Sequence, residues 1–272
     1  MASIALQLEW NAGYGVLPFD IFVLDHWEGT ALTSPVDNQQ QWDNLARRYL
    51  SFPLMARWPL YKHFHDALSD VPGVAPFPSP TEEQIGGILV PHQSIQERNL
   101  SARCCSGWNT VWLRTCYAPS LADSPNHVLD DASLYDFEGS DQDVLDQLLL
   151  RLPGLTDAFG IMDEYGDGSL LRYASGLDDP EAIERAEHVE ESVEIEKIAL
   201  NIQNFVYVVD GEAVGKHIVK IWWFNEFGKI IWDNIALIPD TDLDGLLGAI
   251  LDGQGFMDIV AETPQRGDVL RG

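Results

Sequence analysis

The 272 residues predict an α+β protein: a mixed, largely antiparallel sheet with helices packed on it, preceded by an α-rich N-terminal segment. Three observations predict this class. Two apolar, β-rich runs, Ile218–Phe224 and Lys229–Leu237, flank Asn225-Glu226-Phe227-Gly228, whose glycine can take the positive φ that a tight hairpin requires. Apolar residues recur at helical spacing in several stretches, as at Trp42, Leu45 and Tyr49. Hairpins interspersed with helices favour α+β over a strictly parallel, doubly wound sheet.

In chain order, Phe19–Asp25 is apolar at both parities and reads as a strand covered on two faces. Asp37 caps a helix carrying Trp42, Leu45, Tyr49 and Leu50, and Pro59 sits in the first turn of a second helix, LYKHFHDAL. Pro72, Pro76, Pro78 and Pro80 exclude helix and central strand, so they read as an extended connection. We therefore expect residues 1–105 to form an N-terminal strand and helix segment ending in this Pro-rich connection. Residues 106–272 are expected to form an α+β sheet domain, and the two can make one compact unit.

In that second part, Trp108–Cys116 alternates as a strand with one drier face. Ser140 and Asp143 approximate a capping box for a helix that stops at Pro153-Gly154. Phe159–Asp163 and Ser169–Tyr173 read as a strand pair, and Asp179-Pro180 starts a helix reaching Leu200. Asn204–Val209 is a strand, Asp240 or Thr241 caps a helix ended by Gly253, and Phe256–Val260 adds an edge strand.

Charge narrows the function. Lys and Arg number 16 against 43 Asp and Glu, a net charge of −27. The excess is local: residues 1–105 hold 11 acids and 6 bases, residues 106–200 hold 21 and 5, and residues 201–272 hold 11 and 5. Such a field repels nucleic-acid phosphates and anionic lipid and attracts basic surfaces. In the helix after Pro180, Ala182, Ala186, Val189 and Val193 make one apolar stripe, and Glu184, Glu187, Glu190, Glu191 and Glu194 surround it. The primary reading is an acidic interaction module that binds a basic protein through these glutamates, for example as an inhibitor or immunity-type antagonist. The competing account of the same charge is a solvated surface that keeps the protein dispersed.

The alternative function is a small-molecule enzyme or binding protein. Its cleft would be lined by Trp222, Trp223 and Trp232, with Asp25, His26, Arg114 and Asp163 supplying polar groups at strand ends. Other constellations are weaker. Asp163, Asp167 and Gly168 fail the EF-hand pattern, because Tyr165 stands at its third position and Ala174 at its twelfth. In His63-Phe64-His65-Asp66 the two histidines would share a face on a strand, as a metal site would need, but on a helix the two imidazoles diverge by roughly 200°. Cys104, Cys105 and Cys116 have neither metal-ligand spacing nor the surroundings of a nucleophile, and their number suits a reducing compartment without disulfides.

No nucleotide loop, HExxH or zinc-knuckle spacing occurs, so neither cofactor nor metal is expected. No apolar run reaches the ~20 residues a membrane helix needs, and the N-terminus lacks the features of a secretory signal. A cytoplasmic protein is expected.

Overall fold

A computed structural model describes residues 14–29, 35–68, 80–105, 111–115, 134–136, 144–157, 203–216, 218–237 and 265–270. The chain divides into two compact units: residues 1–107 with 148–168, and residues 108–147 with 169–272. The class is α+β, with helices in the N-terminal part and a mixed sheet.

The first unit opens with α1 (Pro18–His26). This corrects the strand predicted over Phe19–Asp25. An apolar run cannot distinguish a covered strand from a buried helix, and Pro18 at the helix start favours the helix. Phe19, Phe22 and Val23, spaced by three and four, are buried together.

Helix α2 (Pro35–Leu50) buries Trp42, Leu45, Ala46 and Tyr49 as a single stripe, as the spacing predicts. It starts at Pro35, so Asp37 lies in its first turn. Helix α3 (Leu54–Leu68) starts before Pro59, which is internal instead of in the first turn. Pro59 is exposed.

The chain then coils with changing pitch. Thr81 and Gln84 form a capping box around α4 (Glu82–Gln84), followed by a π turn, Ile85–Leu89, and a 3-10 turn, Val90–His92. Ile85, Ile88 and Leu89 join the aromatic core of α1 and α2, where Phe19 meets the edges of Trp42 and Tyr49 at 5.2 Å. Ser94 and Glu97 form a second box at the head of α5 (Ile95–Cys105): the Ser94 amide donates to Glu97 Oε2 at 2.6 Å, and the Glu97 amide donates to Ser94 Oγ at 3.3 Å. Helix α6 (Val144–Arg151) buries Leu145, Leu148 and Leu149 and gives way to a 3-10 turn at Pro153–Thr156.

In the second unit the described residues form a sheet of β1 (Trp112–Arg114), β2 (Leu134–Asp136), β3 (Asn204–Val209), β4 (Ile218–Phe224), β5 (Ile230–Leu237) and β6 (Val269–Leu270), in the order β2-β1-β3-β4-β5-β6. The long pairings, β3 with β4 and β4 with β5, are antiparallel, and the short outer ones are parallel. All six residues of β3 are buried, as a central strand covered on both faces requires. Val111 and the first two residues of β1, Trp112 and Leu113, are buried consecutively, so Trp112 does not lie on a wetter face as the alternation read from sequence implies.

The β4–β5 hairpin forms where predicted. Asn225 Oδ1 accepts from the Phe227 and Lys229 amides at 3.0 Å each, and Gly228 has φ 73°. Helix α7 (Gly211–Lys216) follows Asp210, whose Oδ1 accepts the Ala213 amide at 2.7 Å. The edge strand is Val269–Leu270; the predicted strands at 159–163, 169–173 and 256–260, the predicted helices at 180–200 and after Thr241, and most of the Pro-rich connection lie outside the described residues.

Candidate functional site

The most deeply buried of the described charges meet inside the first unit, in two ion pairs. Helix α1 carries Asp20 and α5 carries Arg98, each 1% exposed at the side chain or less. Arg98 donates from both terminal nitrogens to the two Asp20 oxygens at 2.7 Å. Asp20 Oδ2 also accepts the Gly15 amide at 2.8 Å, and Gln93 Oε1 accepts from Arg98 at 3.0 Å. Gly15 is required there. Its φ is +87°, and a Cβ would fall 2.3 Å from Pro80 Cγ. The Tyr14 ring lies 4.5 Å from the guanidinium, and Arg151 extends the network to Glu97 at 2.8 Å.

The second pair joins Arg57 of α3 to Asp157 at 2.7 Å, both side chains fully buried. Tyr49 donates its hydroxyl to Asp157 Oδ2 at 2.6 Å, and Arg57 donates to Thr156 Oγ1 at 2.6 Å. Burial pushes the Asp157 carboxyl up to about 6, against the Arg57 charge and the Tyr49 hydroxyl, which favour the anion. Charges enclosed in this way hold helices together and are closed to a substrate.

Between the two pairs, His92 stacks on Trp42 at 4.9 Å and holds Gln39 Oε1 at 3.0 Å through Nδ1, so Nδ1 carries the proton. Burial, reinforced by Arg151 and opposed by Asp43, lowers its pKa to about 4. A depressed folded-state value means that the unfolded chain binds the proton first. Stability is then fully present above about 6.5 and falls as pH drops toward about 4. Asp157, raised from 3.8 to about 6, works in the opposite direction: its contribution grows as pH falls from about 6 to 3.8. The two offset each other in the wild type. His92→Phe removes the His92 loss and leaves the opposing Asp157 contribution in place, so urea midpoints measured from pH 7 to 4 are expected to fall less than in the wild type; identical profiles would contradict the assignment.

Six of the residues proposed from sequence are placed by the structure, Asp25 and His26 in the first unit and Arg114, Trp222, Trp223 and Trp232 in the second. Asp25 is exposed near the end of α1, and the neighbouring His26 pairs its Nδ1 with the Phe22 carbonyl at 2.9 Å and packs on the Phe22 ring. Both lie on a helix instead of at a strand end. Arg114 is half-buried on β1. Trp223 and Trp232 are buried cross-strand neighbours, and Trp223 Nε1 donates to Asn234 Oδ1 at 2.7 Å. Trp222 is half-buried and faces the other way. Asp163, Glu184, Glu187, Glu190, Glu191 and Glu194 lie outside the described residues.

Among the described residues, no group of three or more His, Cys, Asp or Glu side chains is arranged to hold a metal, and no helix is long and apolar enough to cross a membrane. Sequence reading missed the buried pairs because partners such as Asp20 and Arg98 are 78 positions apart. The Ser94-x-x-Glu97 box that precedes Arg98 was a legible signal. Comparison with protein-family models, curated proteins and solved structures finds no match to this chain.

Proposed function

We propose that the protein is an interaction module that captures a basic partner protein through the acidic middle of its sequence. The observation that carries this reading is the net charge of −27, considered with the fate of six of the described cations. Arg57, Arg98, Arg151, Lys216, Lys220 and Arg266 are each held by a carboxylate of the same chain. Cations engaged in this way are poorly placed to recruit phosphate or anionic lipid, and the surplus carboxylates steer a cationic surface toward the protein. The described ionisable groups with the greatest burial serve packing, which favours binding over catalysis. An antagonist that occupies the cationic site of its target is the concrete form of this function.

The test uses cytochrome c as a folded basic probe, titrated at two ionic strengths. Changing Glu187, Glu190, Glu191 and Glu194 together to Gln is expected to weaken binding by about tenfold or more at low salt, and added salt to weaken the wild type steeply. Changing four exposed acids of the N-terminal part, Glu28, Asp37, Glu82 and Glu83, to Gln or Asn is the charge-matched control. Equal losses in the two variants would show that the charge acts in bulk, and the docking face would be abandoned.

A further inference from the structure

We propose that the first unit contains an internal water site, built by Ser101, Asp20 and Gln93, which gives the Ser101 hydroxyl a partner beside the Asp20–Arg98 pair. Ser101 lies on α5 and is 5% exposed, and its hydroxyl makes no hydrogen bond to the protein. A buried hydroxyl left in that condition keeps the full cost of its lost hydration, so native interiors almost always supply a partner. Ser101 borders a small cavity shared with Asp20, Gln93 and Arg98, closed by Phe19 and Pro153, with room for about one water molecule.

The acceptors beside it have capacity to spare. Asp20 Oδ2 receives two N–H groups, whereas Oδ1 receives one, from Arg98, and Gln93 Oε1 likewise receives one. A water placed there accepts from the Ser101 hydroxyl and donates to Asp20 Oδ1 and Gln93 Oε1. That satisfies the two to four polar partners an internal water needs. Organic ligands are excluded by size, and the guanidinium is already neutralised by Asp20, so an anion has no unmatched charge to bind.

The test compares the wild-type chain with Ser101→Val, whose added methyls fill the cavity and remove the hydroxyl. A high-resolution crystal structure of the wild type is expected to show one ordered water within hydrogen-bond reach of Ser101 Oγ. Water-selective nuclear Overhauser spectra are expected to show a long-lived water contact at the Gly15 amide or Arg98 side chain. Both signals are expected to vanish in Ser101→Val. A dry wild-type cavity, with the Ser101 hydroxyl turned to a carbonyl of its own helix, overturns the proposal on the wild-type measurement alone. Persistence of the water signal in a folded Ser101→Val variant overturns it as well.

Discussion

Arg98→Met is expected to lower stability by about 3–5 kcal/mol, because it leaves the Asp20 carboxylate buried beside a single amide donor. The side chain lost is fully buried and bidentate, unlike exposed pairs such as Arg266 with Asp233, where about 0–1 kcal/mol is at stake. The change should lower the urea midpoint with little change in m. Asp20→Asn alone is also destabilising, since it removes the carboxylate that the guanidinium grips with both terminal nitrogens. Joined with Arg98→Met it is expected to recover much of the loss, because Asn still accepts the Gly15 amide and no unpaired charge remains. Simple additivity of the two single changes would show that the ion pair is not the coupled unit its geometry indicates.

The second large effect belongs to the sheet. Trp223→Ala is expected to cost about 3–5 kcal/mol: the ring is 1% exposed, packs on Phe205 at 4.7 Å and stands opposite Trp232 across β4 and β5. Trp223→Phe keeps most of the apolar volume but removes the donor to Asn234, itself 1% exposed. It is expected to cost about 1–3 kcal/mol. Thermal and urea unfolding of both variants check the order. If Phe proved as damaging as Ala, the hydrogen bond would outweigh the packing, and the core role given to Trp223 would be wrong.

The two effects differ in how visible they are in the sequence. Strand β4 and its hairpin were legible because the turn, its glycine and the β-rich runs are adjacent, and Trp223 meets Trp232 across a loop of only a few residues. The Asp20–Arg98 pair was not legible. A charge in an apolar run gives no local indication of a partner 78 residues away, and Asp20 within FDIFVLD instead supported a strand reading. The same limitation affected Asp25 and His26: once Phe19–Asp25 is helical, their position at a strand end disappears, and His26 turns to the carbonyl of Phe22.

By itself, then, the sequence determined the α+β class, helix α2 with its Trp42 stripe, the helix that stops at Pro153 and the β4–β5 hairpin. Each rests on contacts or periodicities within about twenty residues, the range over which spacing translates into shared faces. Tertiary structure alone decided that Phe19–Asp25 coils, that Pro59 lies within a helix, and that residues 148–157 join the first unit, where Asp157 meets Arg57. The physical reason is common to the first and the third. A buried charge or an apolar run takes the conformation that satisfies its distant partners, and those partners exist only once the chain has folded back on itself.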